Sequence, residues 1–343
     1  MLRSADAKIV LVTRQTRLEG LKRKYATASQ AKFLMFRSKR QELEQNVIAA
    51  PALARAAMLE AADATAAQPF DELEDEDLGY NQAVGELTSD LDLRDLGLPL
   101  QRVDREFVPN LVFGPNDIIV TVGQDGLVAN VAKYALGLPI VAINPDPARI
   151  DGVLLPFRRE QARDAVLAVI KGRARHRDVT LAQAVLTDGQ KLLAFNDLFI
   201  GTRSHVSARY RIEVAGRSEP HSSSGVVVST GAGSTGWLSS MFHMAGGVAA
   251  AFGRKPPPEP VTLGWEDPTL VFVVREPFVS KASQASIVAG VVPAGQELVI
   301  ESTMSENGVI FSDGVESDFL AFNSGATARI RAAPEKAKLV TAY

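Results

Sequence analysis

The sequence contains no cysteine, which excludes disulfides, cysteine-ligated metals and a cysteine nucleophile. Histidine is nearly as scarce. His176, His205, His221 and His243 lie far apart and show no ligand spacing, so no structural zinc is expected. No run of about 18 apolar residues occurs, the length a membrane-spanning helix needs. There is no dominant charge of one sign either: a net charge of −3 provides no basic field for nucleic acid. Only Met1 to Ala7 precede the first strand-like run, Lys8-Ile9-Val10-Leu11-Val12-Thr13, which is too short for a signal or transit peptide. The chain reads as cytoplasmic, with neither a membrane nor nucleic acid among its partners.

What is present is ordinary globular material. The 343 residues are 46% apolar and 22% charged, which suits a chain of two domains. The most informative stretch is Thr121-Val122-Gly123-Gln124-Asp125-Gly126-Leu127. It follows the apolar run Asp117-Ile118-Ile119-Val120, a buried strand, and precedes Val128 to Ala135, a helix. A strand, a turn with two glycines and one aspartate, then a helix is a phosphate-binding layout. The glycines let the backbone approach an anion, and the first N–H groups of the helix have no helical partners. The aspartate can orient a metal or take a proton from an attacking hydroxyl. Taken alone, Gly-x-Asp-Gly also suits a plain tight turn between a strand and a helix.

The rest of the first half alternates. Lys8–Thr13 is the first parallel strand. Arg14 to Lys39 is basic and helix-compatible, with Arg17, Lys22, Arg23, Lys24 and Arg37 forming either a solvated face or a polyphosphate clamp. Arg40 to Ala67 is helical in composition. The acidic run Asp71 to Asp77 reads as an exposed loop, and Leu91 to Val108 can hold one more strand. Leu138 to Asn144 is another buried strand. It leads into a loop stiffened by Pro145 and Pro147 that offers Asn144, Asp146 and Arg149, the last able to grip a phosphate or to pair with Asp151. Such alternation argues for a parallel sheet covered by helices. Ligands of such sheets sit beyond the carboxyl ends of the strands, where Gly123–Gly126 and Asn144–Asp151 fall.

After an amphipathic helix, Glu160 to Lys171, short strands take over: Asp178–Leu186, Lys191–Asn196, Leu198–Gly201, Ala208–Ala215, Gly225–Ser229, Thr269–Val274, Glu297–Glu301, Gly308–Phe311, Asp318–Phe322 and Thr327–Arg331. A proline-rich connection (Pro256, Pro257, Pro258, Pro260) interrupts them. The fold class is thus an α/β N-terminal domain with a parallel sheet, residues 1–157, plus a β-rich C-terminal domain, residues 158–343, whose tail can return to the first. Two polar motifs fall in the β-rich part. Asn196-Asp197 can hydrogen-bond a ribose or a base edge, or form a plain turn. Ser229-Thr230-Gly231-Ala232-Gly233-Ser234-Thr235-Gly236-Trp237 has three glycines and four hydroxyls at a strand-to-helix turn, with Ser234 or Thr235 available as a helix cap.

In this order, Gly123–Leu127, Asn196-Asp197 and Gly233-Ser234-Thr235 resemble the NAD kinase family, which carries Gly-Gly-Asp-Gly-Thr, Asn-Glu or Asn-Asp, and Gly-Ser-Thr motifs. The mitochondrial-type branch is the more similar. Its likeness shows in Thr16-Arg17-Leu18-Glu19, Asn144 to Arg149, Asn196 to Gly201, Ser223-Ser224-Gly225, Val274-Arg275-Glu276-Pro277 and Ser312-Asp313-Gly314. The resemblance spans roughly residues 8 to 335. It implies an NAD kinase-like two-domain fold and transfer of the γ-phosphoryl of ATP, with Mg²⁺, to the adenosine-ribose 2′-hydroxyl of NAD. It also implies a homodimer, in keeping with the common preference for two-fold assemblies. Carried over, Asp125 is the catalytic aspartate, Gly123, Gln124 and Gly126 make the phosphate turn, and Asn144 and Arg149 serve the same region. Asn196 and Asp197 hold the ribose hydroxyls, and Thr230, Gly233, Ser234 and Thr235 line the dinucleotide pocket.

The sequence departs from the family in several places. Gln124 stands for a glycine, and a positive φ there would strain it. Leu127 stands for a threonine and lacks its hydroxyl. Gly231-Ala232 replaces Pro-Thr, and Gly236-Trp237 replaces Ala-Tyr, with Trp237 keeping a stacking surface. Two alternatives follow: a catalytically silent NAD(P)-binding or sensing protein, or a kinase of the same architecture acting on a lipid, a sugar or a nucleoside.

Overall fold

The computed structural model describes residues 7–48, 55–92, 96–255 and 259–342. Pro256, Pro257 and Pro258, the stretch 49–54 and the first six residues lie outside the described residues.

The first half runs β1 (Ile9–Thr13), α1 (Arg17–Tyr25), α2 (Ala28–Ile48), α3 (Arg55–Leu91), β2 (Leu100–Asp104), β3 (Ile118–Val122), α4 (Asp125–Ala132), β4 (Pro139–Asn144), β5 (Phe157–Arg158) and α5 (Ala162–Ile170). Strands β2, β1, β3, β4 and β5 pair in parallel. Every residue of β1 and β3 is buried, the pattern of strands covered on both faces. Tyr80, Val84 and Leu87 of α3 and Ala162 and Val166 of α5 pack with Ile9, Leu11, Ile118 and Val120. Leu127, Val128 and Val131 of α4 pack with Val10, Val12, Ile119 and Ile140 on the other side. Each such Val, Leu or Ile contributes roughly 1.5–3 kcal/mol when fully buried.

The second half runs β6 (Arg175–Leu186), β7 (Lys191–Ala194), β8 (Asp197–Thr202), β9 (Ala208–Val214), β10 (Arg217–Ser223), β11 (Val226–Ser229), α6 (Trp237–Ala251), β12 (Leu270–Val274), β13 (Ala289–Val292), β14 (Leu298–Ser302), β15 (Gly308–Ser312), β16 (Val315–Ala321) and β17 (Thr327–Ala342). One sheet has the order β10-β9-β14-β17-β4-β3-β1-β2, with β5 beside β4 and β6 and β7 branching from β17. A second has the order β13-β12-β11-β8-β15-β16. Their facing sides share one core, with Ile212, Leu298 and Ile300 from the first against Leu198, Ile200, Val228 and Phe272 from the second. Strand β17 is the spine. It pairs antiparallel with β6 and β14, then parallel with β4 through Lys338 and Leu339. The C-terminal segment is therefore built into the α/β sheet.

Several local expectations are corrected. The acidic run Asp71–Asp77 is not a loop but part of α3, because Glu76 and Asp77 find cations across the helix face: Arg14, Arg17 and Lys22. The basic stretch after β1 is two helices, broken where Ala26 takes φ 67. Thr16-Arg17-Leu18-Glu19 is a capping box that starts α1: the Thr16 hydroxyl accepts from Glu19 N and Glu19 accepts from Thr16 N. Helix α4 starts at Asp125 rather than Val128. Strands β10 and β13 have no strong alternation and were not expected. Strand β17 runs eleven residues beyond Arg331, to Ala342.

Candidate functional site

Strand β1 connects to β2 on one side, and β3 lies on its other side. The crossing point between β1 and β3 is a topological switch, the place where open parallel sheets bind ligands. Residues Val12 and Thr121 pair across it, as do Val122 and Ile143 on the far side of β3. The three strands thus end level and deliver Arg14, Gly123 and Asn144 to one edge.

Gly123 donates its N–H to Ile143 O at 3.3 Å. A Cβ there would lie 3.0 Å from Leu127 Cδ2 and 3.5 Å from Arg14 Cδ, so the turn is closely covered. Gln124 has φ −100 and ψ 167. This is ordinary extended backbone, so the positive φ that would strain a glutamine is not required. Its side chain does not cap α4, and while Leu127 N–H donates to Gln124 O at 2.9 Å, the N–H groups of Asp125 and Gly126 are left to another acceptor. Leu127 is 3% exposed and packs beneath the turn. Asp125 is the first residue of α4, and its Oδ1 accepts the backbone N–H of Leu154 at 2.8 Å. Its Oδ2 makes no hydrogen bond among the described residues. Gly126 is exposed.

Arg14, absent from the candidates chosen by sequence, sits at the centre of this edge. Its backbone N–H donates to the Tyr80 hydroxyl at 2.8 Å, and that hydroxyl donates to Val122 O at 3.0 Å. Its guanidinium lies over the Tyr80 ring and bonds Glu76 at 3.0 Å. Burial pushes the Tyr80 phenol up to about 12. Burial alone would raise Glu76, but its hydrogen bonds to Arg17 and Arg14 outweigh that and hold it below the usual carboxylate range. Tyr80 and Glu76 lie one turn apart on a helix that the acidic composition had made look like a loop, so no sequence signal pointed to them.

Asn144 is buried and spends its amide on its own loop. Its Nδ2 donates to Ile150 O at 2.9 Å and its Oδ1 accepts from Asp146 N at 3.0 Å. Arg149 faces Asp146 at 3.8 Å and Asp75 at 4.0 Å, rather than Asp151. A cavity of about 210 Å³ lies here, lined by Arg14, Arg17, Gln124, Asp146 and Arg149. A second, of about 410 Å³, lies on the α4 side of Arg14, lined by Arg105, Asn130, Lys133, Val315 and Asp318 among others. In it Asn130 Oδ1 is buried with no hydrogen-bond partner among the described residues, while Nδ2 donates to Gly126 O at 2.6 Å.

Asn196 and Asp197 form a turn held from below. Asp313, at φ 53 between β15 and β16, accepts the N–H of Phe195 at 3.0 Å, of Asn196 at 2.6 Å and of Asp197 at 3.3 Å. Thr230 bonds the same turn: its N–H donates to Asn196 O at 2.9 Å and its hydroxyl to Phe195 O at 2.6 Å. Ser234 is also buried and donates to Gly231 O at 2.7 Å. Both hydroxyls are thus committed to backbone. Thr235 is exposed. Gly233 lies so close that a Cβ would stand 2.3 Å from Asn196 O. What the turn leaves available is the Asn196 amide, which makes no hydrogen bond among the described residues, and Asp197 Oδ1, which is buried and unpaired. Burial pushes the Asp197 carboxyl up to about 7; a hydrogen bond from Ser229 opposes this and the Asp313 charge adds to it. Trp237 stacks on Phe199 at 5.8 Å and lies under Arg275. The Gly123–Gly126 turn and this second turn meet through one apolar cluster that includes Leu127, Leu154, Phe195 and Ala232.

No family model matches the chain, and no curated protein is significantly similar to it in sequence. Solved structures do match. A yeast NADH kinase complexed with NADH superposes with a TM-score of 0.52 at 14% identity, covering 98% of this chain and 84% of that one. An NAD kinase from Archaeoglobus fulgidus in complex with ATP gives a TM-score of 0.51 at 17% identity, covering 75% of this chain and 88% of that one. The chain has the two-domain fold of these kinases. No described helix is long and apolar enough to cross a membrane.

Proposed function

We propose that the chain belongs to the NAD kinase family and transfers the γ-phosphoryl of ATP to the 2′-hydroxyl of the adenosine ribose of NAD, giving NADP and ADP. The observation that carries this reading is Asp125, placed at the first turn of α4 at the switch point, with one oxygen fixed by Leu154 N and the other available. In this role Asp125 accepts the 2′-hydroxyl proton. The freed oxygen forms the new bond to the γ-phosphorus as the bond to the β–γ bridging oxygen breaks. Such a step needs positioning and charge neutralisation more than covalent help.

The remaining residues divide between donor and acceptor. The turn Gly123–Gly126 and the first N–H groups of α4 face the phosphates, and Arg14, Arg17 and Arg149 add charge from the smaller cavity. The larger cavity beside Asn130 suits the donor nucleoside, because its unpaired buried acceptor and its apolar wall, Val108 and Val315, match a base edge and a base face. Asn196 and Asp197 hold the acceptor ribose, and Thr230, Gly233 and Ser234 hold those two in place. Among the described residues no three His, Asp or Glu cluster as a cation cage. A Mg²⁺ carried by the ATP triphosphate would neutralise the charge that develops on the phosphates.

The test is NADP formation by purified protein with NAD, ATP and Mg²⁺, beside the Asp125→Asn variant and a no-donor blank. Loss of a general base costs about 10²–10⁴ in rate. Product that depends on Asp125 supports the reading, and Asp125→Asn retaining most activity overturns the role of Asp125. Saturable NAD binding without turnover would favour a sensing protein instead.

A further inference from the structure

Lys133 follows the last residue of α4 and is 4% exposed. A buried ammonium needs partners, and it has them on the opposite sheet. Its Nζ donates to Ser312 Oγ at 2.7 Å and pairs with Asp318 at 3.3 Å. The next residue, Tyr134, donates its hydroxyl to Asp318 as well. The end of the helix that begins with Asp125 is therefore clasped to the β15–β16 hairpin. The residue after Ser312 is Asp313, whose carboxylate accepts three N–H groups from Phe195, Asn196 and Asp197.

We infer that Lys133 is a positioning residue: it clasps the Asp125 helix to the hairpin that carries Asp313 beneath the Asn196–Asp197 turn, so that the two halves of the site hold their spacing. Burial drives Asp313 towards the neutral acid, and the Lys133 charge is the first influence opposing it. A protonated Asp313 would lose acceptor capacity under three backbone N–H groups that have turned towards it. The other charged or titratable groups around this pair are Asp318 on the hairpin, Asp197 on β8, Tyr134 beside Lys133, and Arg105 opposite Tyr134. None of these supplies a second cation to Asp313. That the spacing serves a dinucleotide rests on the kinase reading above; the clasp itself does not.

The test compares the native chain with Lys133→Met, which keeps the length and removes the charge, and with Lys133→Arg, which keeps the charge. Hydrogen exchange of the Phe195, Asn196 and Asp197 amides needs no ligand. In Lys133→Met their protection falls about tenfold or more, while β3 and β4 amides keep theirs. Lys133→Arg keeps most of the protection. NAD binding by calorimetry weakens about tenfold in Lys133→Met. If Lys133→Met fails to fold, Ser312→Ala removes the Nζ acceptor and is expected to show a smaller change at the same three amides. Unchanged exchange at those amides in Lys133→Met or Ser312→Ala, or an equal loss in Lys133→Met and Lys133→Arg, overturns the inference. Native protein that binds no NAD while the three amides respond as stated overturns the kinase reading instead.

Discussion

Replacing Gly233 by alanine isolates the second turn from everything else. The added Cβ would lie 2.3 Å from Asn196 O, 2.7 Å from Asn196 C and 2.7 Å from Ser229 Oγ. Ordinary contact starts near 3.4 Å, so a backbone carbonyl must retreat by about 1 Å, since neither Asn196 nor Gly233 has a flexible end to give way. That carbonyl also accepts the N–H of Thr230, and the Asn196 N–H is bound to Asp313. The shift therefore cannot stay local without loosening two hydrogen bonds. Overpacking of this kind costs about 1–3 kcal/mol of stability, and a 1 Å misplacement of a binding group costs on the order of 10²-fold in rate.

The expected result for Gly233→Ala is a folded protein with a lower Tm, NAD binding weakened by about tenfold or more, and ATP binding nearly unchanged. Calorimetry with each nucleotide reads both, and thermal unfolding reads the first. Gly247→Ala is the control, because a Cβ at that exposed helical position meets nothing within 4 Å. Native-like NAD affinity in Gly233→Ala would refute the assignment of the Asn196 turn as the acceptor's seat. A parallel loss of ATP and NAD binding would refute the division of the site between the two turns.

Other perturbations probe the remaining claims. Asp197 binds its proton more tightly in the folded chain than in the unfolded one, so the folded state carries more protons between about pH 4 and about pH 7. Its contribution makes stability fall as pH rises through that window, and Asp197→Asn should gain Tm relative to native protein on going from pH 5 to pH 8; parallel Tm–pH curves would contradict this. Glu76 shows the opposite sign: its stabilisation is complete above the unfolded carboxylate pKa and is lost as pH falls through its depressed folded value. Glu76→Gln should cost about 1 kcal/mol near neutrality, mostly through the half-buried Arg14 since Arg17 is solvent-screened, and should flatten the acid limb of the unfolding curve. Leu127→Thr, which restores the family's residue, should destabilise by about 2–4 kcal/mol without raising the rate, because it trades packed methyl groups for a buried hydroxyl; a faster enzyme of native stability would show that the leucine impairs catalysis.

The parallel sheet was legible because its strands are apolar runs of the right length. Ile9–Thr13, Ile118–Val122 and Pro139–Asn144 are buried on both faces, and such strands need no alternation to be seen. Strand β9 was legible for the opposite reason, since Arg209, Arg211 and Glu213 point out while Tyr210 and Ile212 point in. Strand β10 was not, because Pro220 breaks the pattern and its inward residues are Glu219, His221 and Ser223. Glu219 is tolerated inside because the His221 ring and the N–H groups of Ser286 and Ile287 surround it, the last two from more than sixty positions away. The turns of the site could be seen as glycine-rich strings. Which hydroxyls face a ligand could not, since Thr230 and Ser234 differ from Thr235 only in the backbone each one reaches. Arg14 and Lys133 escaped notice, and Asp313 was seen only as part of a family-like string, for the same reason: each works through partners brought near by the sheet, not by the sequence.

The departures from the family in the Gly123–Leu127 turn look different once their environment is known. Gln124 occupies extended backbone and points away from the core, so the turn keeps its path without a glycine there. Leu127 fills the floor under Gly123, where its Cδ2 would touch any Cβ added above. The bareness a phosphate needs is then supplied by Gly123 and Gly126 alone, and the rigidity by apolar packing beneath. A turn supported by packing needs no hydroxyl to hold its shape, and the carboxylate it presents is fixed independently, by Leu154 N from the neighbouring loop. The turn therefore keeps its backbone path and presents Asp125 in a sequence that lacks two of the family's letters. Neither strain nor a collapsed turn follows from Gln124 and Leu127, so any test of a silent protein has to come from turnover rather than from these two residues.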